Sequence, residues 1–119
     1  MPERIQLSRK RGWRKPENTI VVARPGRWGN PVLIHPVRPS GPFDIYHGDV
    51  GFIGQVTGME LAREKAVEAF RRIVDGSPEM RAEILAELAG KNLACWCPLD
   101  QPCHADVLLE LANTEPGDD

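Results

Sequence analysis

The residues with the clearest chemical potential lie within ten positions near the end of the chain. Cys95, Cys97 and Cys103 are its three cysteines, and His104 directly follows the last of them. Thiolate sulfur and imidazole nitrogen are preferred ligands of zinc. A thiol beside an imidazole is also the arrangement of a cysteine nucleophile with its general base. This clustering predicts a functional site in the segment.

Three interpretations of this cluster are open from the sequence. In the first, zinc is a cofactor and its ligands are Cys95, Cys97, Cys103 and His104. In the second, Cys103 is a reactive thiol paired with His104 at the start of a helix, where the helix dipole lowers a thiol's pKa. Asp106 is then a candidate catalytic carboxylate. In the third, the cysteines are small core residues.

A loop rich in glycine and proline carries the second group of candidate functional residues. It contains the candidate ligand-binding residues, which are Arg24, Arg27, Trp28, Gly29 and Asn30. Two guanidinium groups suit a phosphate or carboxylate, and an indole can stack on a base. Glycine would let the backbone approach a ligand. In the alternative interpretation the loop is a structural turn, with the indole sealing the core and the arginines facing solvent.

Hydrophobic patterning predicts the elements that position these residues. Strands are expected at 4–8, 19–23 and 92–97, and the β-branched run at 19–23 is typical of a strand buried on both faces. Helices are expected at 57–76, 77–90 and 104–113, the first capped by Thr57 and Glu60 and the second by Ser77. The charges of the first helix, among them Arg63, look like a solvated surface. Residues 32–58 are predicted to be largely irregular, as in a functional loop, a lid or an insertion that covers a site, although 32–34 could extend a strand and 43–46 could be a strand or a strap.

This order of elements predicts an α/β fold. We expect a small single-domain sandwich over residues 1–113, with a short, mostly parallel central sheet flanked by helices and an acidic flexible tail at 114–119. The strands at 19–23 and 92–97 are expected to be central. Ligands of open α/β sheets bind beyond the carboxyl ends of the strands. The loops at 24–31 and 97–103 are therefore expected to line one pocket.

Composition narrows the class of protein. The chain has 119 residues with 41% hydrophobic content, which suits one domain. No run approaches the roughly 18 apolar residues that span a bilayer, and we expect no association with membranes. An odd number of cysteines without a signal-like start favours a reducing compartment, and we expect the protein to be cytoplasmic.

Charge is distributed unevenly along the chain. Residues 1–27 carry eight basic and two acidic side chains, whereas the remainder carries seven basic and fifteen acidic ones. A basic N-terminal third with interleaved tryptophans is able to attract phosphates or nucleic acid. The alternative is a basic edge that docks on the acidic helices of the same fold or of a partner subunit.

Several motifs together resemble a known family. Trp28-Gly29-Asn30-Pro31, Leu93-Ala94-Cys95-Trp96-Cys97 and Cys103-His104-Ala105-Asp106 are similar to those of the bacterial and phage family called domain of unknown function 4326. The resemblance covers most of the chain, from about residue 9 to residue 113. It implies where the site lies and implies no reaction.

Our leading hypothesis is a small cytoplasmic α/β protein that binds an anionic, nucleotide-like ligand at this site. If it is an enzyme, we expect a hydrolase or transferase acting on nucleotides or nucleotide sugars. The alternative is a phage-related accessory protein that binds nucleic acid and whose fold is stabilised by structural zinc. A third hypothesis is an inhibitor or adaptor whose acidic helices bind a basic partner.

Overall fold

The computed structural model describes residues 2–24 and 26–113 of the chain. The predicted acidic tail at 114–119 lies outside the described residues. The elements are β1 (Arg4–Gln6), β2 (Thr19–Val21), β3 (Val32–Pro36), β4 (Phe43–His47), β5 (Gly51–Val56), α1 (Met59–Asp75), α2 (Pro78–Leu88), β6 (Asn92–Cys95) and α3 (His104–Ala112). The predicted mixed α/β architecture is confirmed.

The parallel sheet has the strand order β1-β6-β2. Gln6 of β1 lies opposite Cys95, and Val21 of β2 lies opposite Ala94. The prediction that both β2 and β6 are central was wrong, because only β6 has a neighbour on each side. Strand β2 is an edge strand that runs from buried Thr19 to exposed Val21, so it is not buried on both faces as predicted, and Val22 just after it is fully buried.

Residues 32–56 form a second, antiparallel sheet in the order β3-β4-β5. The prediction that this segment is largely irregular was therefore wrong, whereas the strands considered at 32–34 and 43–46 lie within β3 and β4. The prolines and glycines that suggested it lie largely between or at the ends of the strands, while Ile34 pairs with Ile45 in the middle of the sheet. Alternate apolar residues such as Val32 and Phe43 pack towards α1. The strands are short and their paired residues are joined by turns rich in glycine and proline, so the turn residues concealed the pairing.

Local signals predicted the helix boundaries well, with one exception. Ser77 caps α2 as expected, its side chain accepting a hydrogen bond from the N–H of Met80 at 3.2 Å. Gly76 ends α1, also as expected. The prediction of a Thr57 cap was wrong, because Gly58 occupies the N-cap position of α1 and no side chain caps it.

Helix α1 joins the two halves of the core. Phe70 and Val74 pack with the parallel sheet, α2 and α3, whereas Ala62 and Ala66 pack with the antiparallel sheet. Because one rigid helix belongs to both clusters, it fixes the position of each sheet relative to the other. Among the described residues, no helix has the length and apolar character needed to cross a membrane.

Candidate functional site

The three parallel strands end at the same edge, where a cavity opens. The N–H of Leu7, just after β1, and the N–H of Val22, just after β2, donate to the carbonyls of Cys95 and Ala94 at 2.8 Å. The segments that follow all three strands therefore start side by side. The cavity beyond them has a volume of about 300 Å³ and is lined by Ala23, Arg24, Asn30, Val32, Ile34, Arg63, Ala66, Val67, Cys95, Trp96, Cys97, Pro102, Cys103 and His104.

The three cysteines converge at this cavity. Their sulfur atoms all lie within 4.8 Å of one another, a group that could hold a metal ion. Cys95 and Cys103 are 2% exposed and their sulfurs are 2.8 Å apart, whereas Cys97 is half-buried. All three are free thiols. Strand β6 supplies Cys95, the bend after it supplies Cys97, and the N-cap of α3 supplies Cys103.

Hydrogen bonding makes the three thiols unequal. Hydrogen bonds from Cys103 and then Cys95 hold the pKa of Cys97 well below its usual value, and the positive charge of Arg63 acts in the same direction. The pKa of Cys103 is raised by its hydrogen bonds with Cys95 and Cys97 and by burial. The sequence led us to expect Cys103 to be the reactive thiol, but the structure makes Cys97 the more accessible and more readily ionised one.

His104 lies beside the cluster and is itself buried. Its Nε2 is 2.7 Å from the carbonyl oxygen of Val22, which can only accept a hydrogen bond, so Nε2 carries the proton. The unprotonated Nδ1 then lies 3.6 Å from the sulfur of Cys103. Burial lowers the pKa of His104 and favours the neutral ring. The hydrogen bond from His104 to Val22 thus connects α3 to the end of β2. The lone pair of Nδ1 points towards Cys103, but His104 does not belong to the group of three close sulfurs.

Two arginines from different elements face the cavity. Arg24 follows β2 and makes only long contacts, 3.4 Å and 3.5 Å, to the carbonyls of Asn30 and Val32. Arg63 on α1 forms no hydrogen bond or ion pair with another described residue. Among the residues that the structure describes, no aspartate or glutamate lines this cavity. Within the described residues, the Cys97 thiolate is therefore the negative group that these two arginines share the cavity with.

Sequence reasoning missed Arg63, which we had read as part of a solvated helix surface. The available signal was its spacing, since Arg63 lies three and four residues before Ala66 and Val67. Residues at that spacing share a helix face, and both of these residues line the cavity.

Three of the predicted ligand-binding residues, Arg27, Trp28 and Gly29, are not part of the cavity wall. Trp28 is 7% exposed and belongs to the core. The guanidinium of Arg27 stacks over the indole at 4.6 Å and forms ion pairs with Glu83 at 2.5 Å and Glu87 at 2.6 Å. The ion pairs of Arg27 hold the loop against α2, and the indole of Trp28 lies in the core. Both contacts fit the alternative interpretation of this part of the loop as a structural turn.

Gly29 and Asn30 shape the same loop. A Cβ atom at Gly29 would lie 2.7 Å from Cγ and 2.9 Å from Cα of Arg24, so only glycine fits where the loop closes on itself. Asn30 lines the cavity, and its side chain accepts from the N–H of Val32 at 2.8 Å and donates to the carbonyl of Ala66 at 3.3 Å. These contacts tie the loop to β3 and α1 and set the position of Arg24.

Asp106, the candidate catalytic carboxylate, is not part of the cavity wall. It accepts a hydrogen bond at 3.1 Å from Arg4, whose side chain is 7% exposed. Arg4 also donates to the carbonyls of Pro98 and Leu99 at 2.9 Å and 2.6 Å. The sequence did not single out Arg4, since its partners are about 100 residues away along the chain.

Trp96 is the aromatic residue that reaches the cavity. It is 46% exposed, and the guanidinium of Arg9 lies 4.7 Å from the centre of its ring. We had assigned base stacking to Trp28. The structure buries that indole and presents Trp96 instead, because β6 turns Cys95 inward and the next residue outward.

Comparison with known families agrees with the motifs of these loops. Residues 5–114 match the sequence profile of the family described as Domain of unknown function (DUF4326). The chain belongs to this family. The resemblance seen in the motifs is thereby confirmed, and the DUF4326 match spans every residue that lines the cavity. No curated protein and no solved structure matches the chain.

Proposed function

We propose that this DUF4326 domain binds a small phosphate-bearing molecule, of the size of a nucleotide, in the cavity at the carboxyl edge of the parallel sheet. One observation carries the proposal: Arg24 and Arg63 line the cavity, and no carboxylate from the described part of the chain accompanies them. A volume of about 300 Å³ lies at the lower end of ligand-binding pockets. A nucleotide with a single phosphate suits that size.

The charge of the wall favours a phosphate for a physical reason. A guanidinium in a partly enclosed cavity has lost some of its hydration, and an anion restores that lost interaction. Hydrogen bonds between guanidinium and phosphate are charge-assisted and can be bidentate. Trp96 offers an exposed ring at the rim for stacking of a base. The ligand therefore combines an anionic group with a flat, unsaturated one.

The same proposal assigns zinc to the cysteine cluster. Three thiolates suit this metal, and catalytic zinc sites commonly have three protein ligands and an open fourth position. Nδ1 of His104 is the candidate fourth ligand, because it carries a lone pair beside Cys103. If the fourth position instead faces the cavity, zinc supplies a Lewis acid next to the bound phosphate. A hydrolase or transferase acting on nucleotides or nucleotide sugars fits that arrangement.

Isothermal titration calorimetry tests the ligand, with inorganic phosphate and thymidine monophosphate as probes. Arg63→Ala and Arg24→Ala should each weaken binding by about 10-fold to 150-fold, since a charge-assisted hydrogen bond contributes about 1.5–3 kcal/mol. Arg72→Ala is the matched control, because Arg72 also lies on α1 but is exposed and pairs with Glu68. Failure of both probes to bind the wild-type protein contradicts the proposal. Equal losses in Arg63→Ala and Arg72→Ala also contradict it.

Elemental analysis of protein purified without chelator tests the metal. We expect one zinc ion per chain, and its loss in Cys95→Ser, Cys97→Ser and Cys103→Ser. Asp44→Asn is the control, because Asp44 lies on β4, accepts a hydrogen bond from Gln55 and belongs neither to the cluster nor to the cavity wall. Metal-free wild-type protein rejects the zinc assignment. Stoichiometric zinc in Cys97→Ser removes that residue from the ligand set.

A further inference from the structure

A strongly basic loop follows β1, and we define it as residues 9–15. Its exposed cations are Arg9, Lys10, Arg11, Arg14 and Lys15. None of these five forms an ion pair with another described residue. So many unpaired cations in seven residues repel one another, which raises the free energy of the isolated protein and favours a polyanion as partner.

The basic loop begins at the rim of the cavity. Gln6, the last residue of β1, lies opposite Cys95, and the N–H of Leu7 donates to the Cys95 carbonyl at 2.8 Å. Two residues further on, the Arg9 guanidinium covers the ring of Trp96 at 4.7 Å. Trp96 itself lines the cavity. The row of cations and the arginine-lined cavity are therefore continuous.

We propose that the basic loop and the cavity together bind single-stranded nucleic acid. The loop contacts consecutive backbone phosphates, the cavity holds one nucleotide between Arg24 and Arg63, and Trp96 stacks on an unpaired base. The nucleotide in the cavity rests on the function proposed above, whereas the contribution of the loop is measured independently. This extension names the ligand class, a strand of DNA or RNA rather than a free nucleotide.

Two features favour a single strand over other polyanions. A cavity of about 300 Å³ has room for one nucleotide, and Trp96 needs a base that is not already stacked within a duplex. An anionic membrane fits less well, because the one large apolar residue of the basic loop, Trp13, is half-buried and leaves nothing to insert among lipids. Acidic residues also outnumber basic ones beyond residue 27, which confines contacts with a polyanion to this edge.

Fluorescence anisotropy with labelled twelve-nucleotide oligothymidylate and oligouridylate, over a range of sodium chloride concentrations, tests the proposal. The double variant Arg11→Ala/Arg14→Ala removes two loop cations. Its matched control, Arg38→Ala/Lys65→Ala, removes one cation from the turn between β3 and β4 and one from α1. We expect the loop variant to weaken binding at least about 10-fold, and to reduce the slope of log affinity against log salt by about 1.4, which corresponds to two lost phosphate contacts on a single strand. The control should bind like the wild type, and the loop variant should bind thymidine monophosphate with unchanged affinity.

The outcomes separate this inference from the function on which it rests. If thymidine monophosphate binds but neither oligonucleotide binds more tightly than it does, the extension to a strand is wrong and the small-molecule function stands. Oligonucleotide binding that depends on the loop, without any binding of thymidine monophosphate, supports the basic surface and rejects the ligand proposed for the cavity. Equal weakening in the loop variant and its control overturns the inference. Loop-dependent binding to phosphatidylserine vesicles, with no binding to either oligonucleotide, also overturns it.

Discussion

The guanidinium of Arg4 donates a hydrogen bond to the backbone carbonyl of Leu99, with Nη2 and the oxygen 2.6 Å apart. The same side chain reaches the Pro98 carbonyl and the carboxylate of Asp106. One arginine at the start of β1 thus holds the segment between Cys97 and Cys103 against α3. The spacing of the thiols depends on that segment, so Arg4 acts as a positioning residue for the cysteine cluster.

Arg4→Ala is therefore expected to affect both stability and metal binding. Loss of its hydrogen bonds should lower the free energy of unfolding by about 2 kcal/mol, since charge-assisted hydrogen bonds contribute about 1.5–3 kcal/mol each and the freed carbonyls regain water. The affinity for zinc should fall about 10-fold to 100-fold, as for other outer-shell contacts. Urea unfolding and competition with a chelator measure the two effects. Arg14→Ala is the control, because it removes an exposed arginine from the basic loop. Equal zinc affinity and equal unfolding free energy in the two variants would show that Arg4 does not position the cluster.

Gly29→Ala is expected to disturb the loop that presents Arg24. The added methyl group would meet Cγ, Cα and the backbone nitrogen of Arg24 at 2.7–3.0 Å, so the loop must move. Overpacking of this kind costs about 1–3 kcal/mol, and we expect a parallel loss of phosphate affinity. Gly54→Ala is the control, because nothing lies within 4 Å of a Cβ at that position. Unchanged urea unfolding and unchanged phosphate binding in Gly29→Ala would contradict the close packing.

Trp28 and Trp96 should have opposite roles, which alanine substitution separates. Trp28→Ala is expected to lower the free energy of unfolding by about 3–5 kcal/mol, because it removes a large side chain from the core. Trp96→Ala should cost far less stability but weaken binding of thymidine monophosphate, since base stacking contributes about 1–3 kcal/mol. Trp96→Phe should retain part of that affinity. The assignment of Trp96 fails if inorganic phosphate and thymidine monophosphate weaken equally in Trp96→Ala, because inorganic phosphate has no base to stack.

Cys97 is expected to be the first thiol alkylated in protein treated with chelator. Its pKa is lowered, so the thiolate persists as the pH falls below the usual thiol range, and its sulfur is the least buried of the three. Mass spectrometry after brief exposure to iodoacetamide at about pH 6.5 identifies the modified residue. Denatured protein, in which all three cysteines have ordinary pKa values, is the control. Added zinc should protect Cys97, and earlier labelling of Cys103 would contradict the order of ionisation.

Local patterns were enough to locate the site but not to choose its side chains. The segment from Cys95 to His104 stood out because thiols and imidazole cluster there, and the carboxyl-edge rule placed it beside the loop of Arg24. Within that loop, however, the sequence offered Arg27 and Trp28 as readily as Arg24. Which of them faces the cavity depends on α2, whose Glu83 and Glu87 form ion pairs with Arg27.

The sequence by itself determined the helix ends, the order of the parallel strands along the chain and the convergence of cysteines and histidine. Those features depend on neighbours a few residues apart, such as the Ser77 cap and the Cys103-His104 start of α3. Only the tertiary structure brought Arg63 and Trp96 to the cavity and buried Trp28. It also revealed the antiparallel sheet of residues 32–56. The placement of Arg63, Trp96 and Trp28 depends on packing between distant parts of the chain, and the antiparallel sheet depends on pairing between successive short strands. Local periodicity encodes the energy of neither.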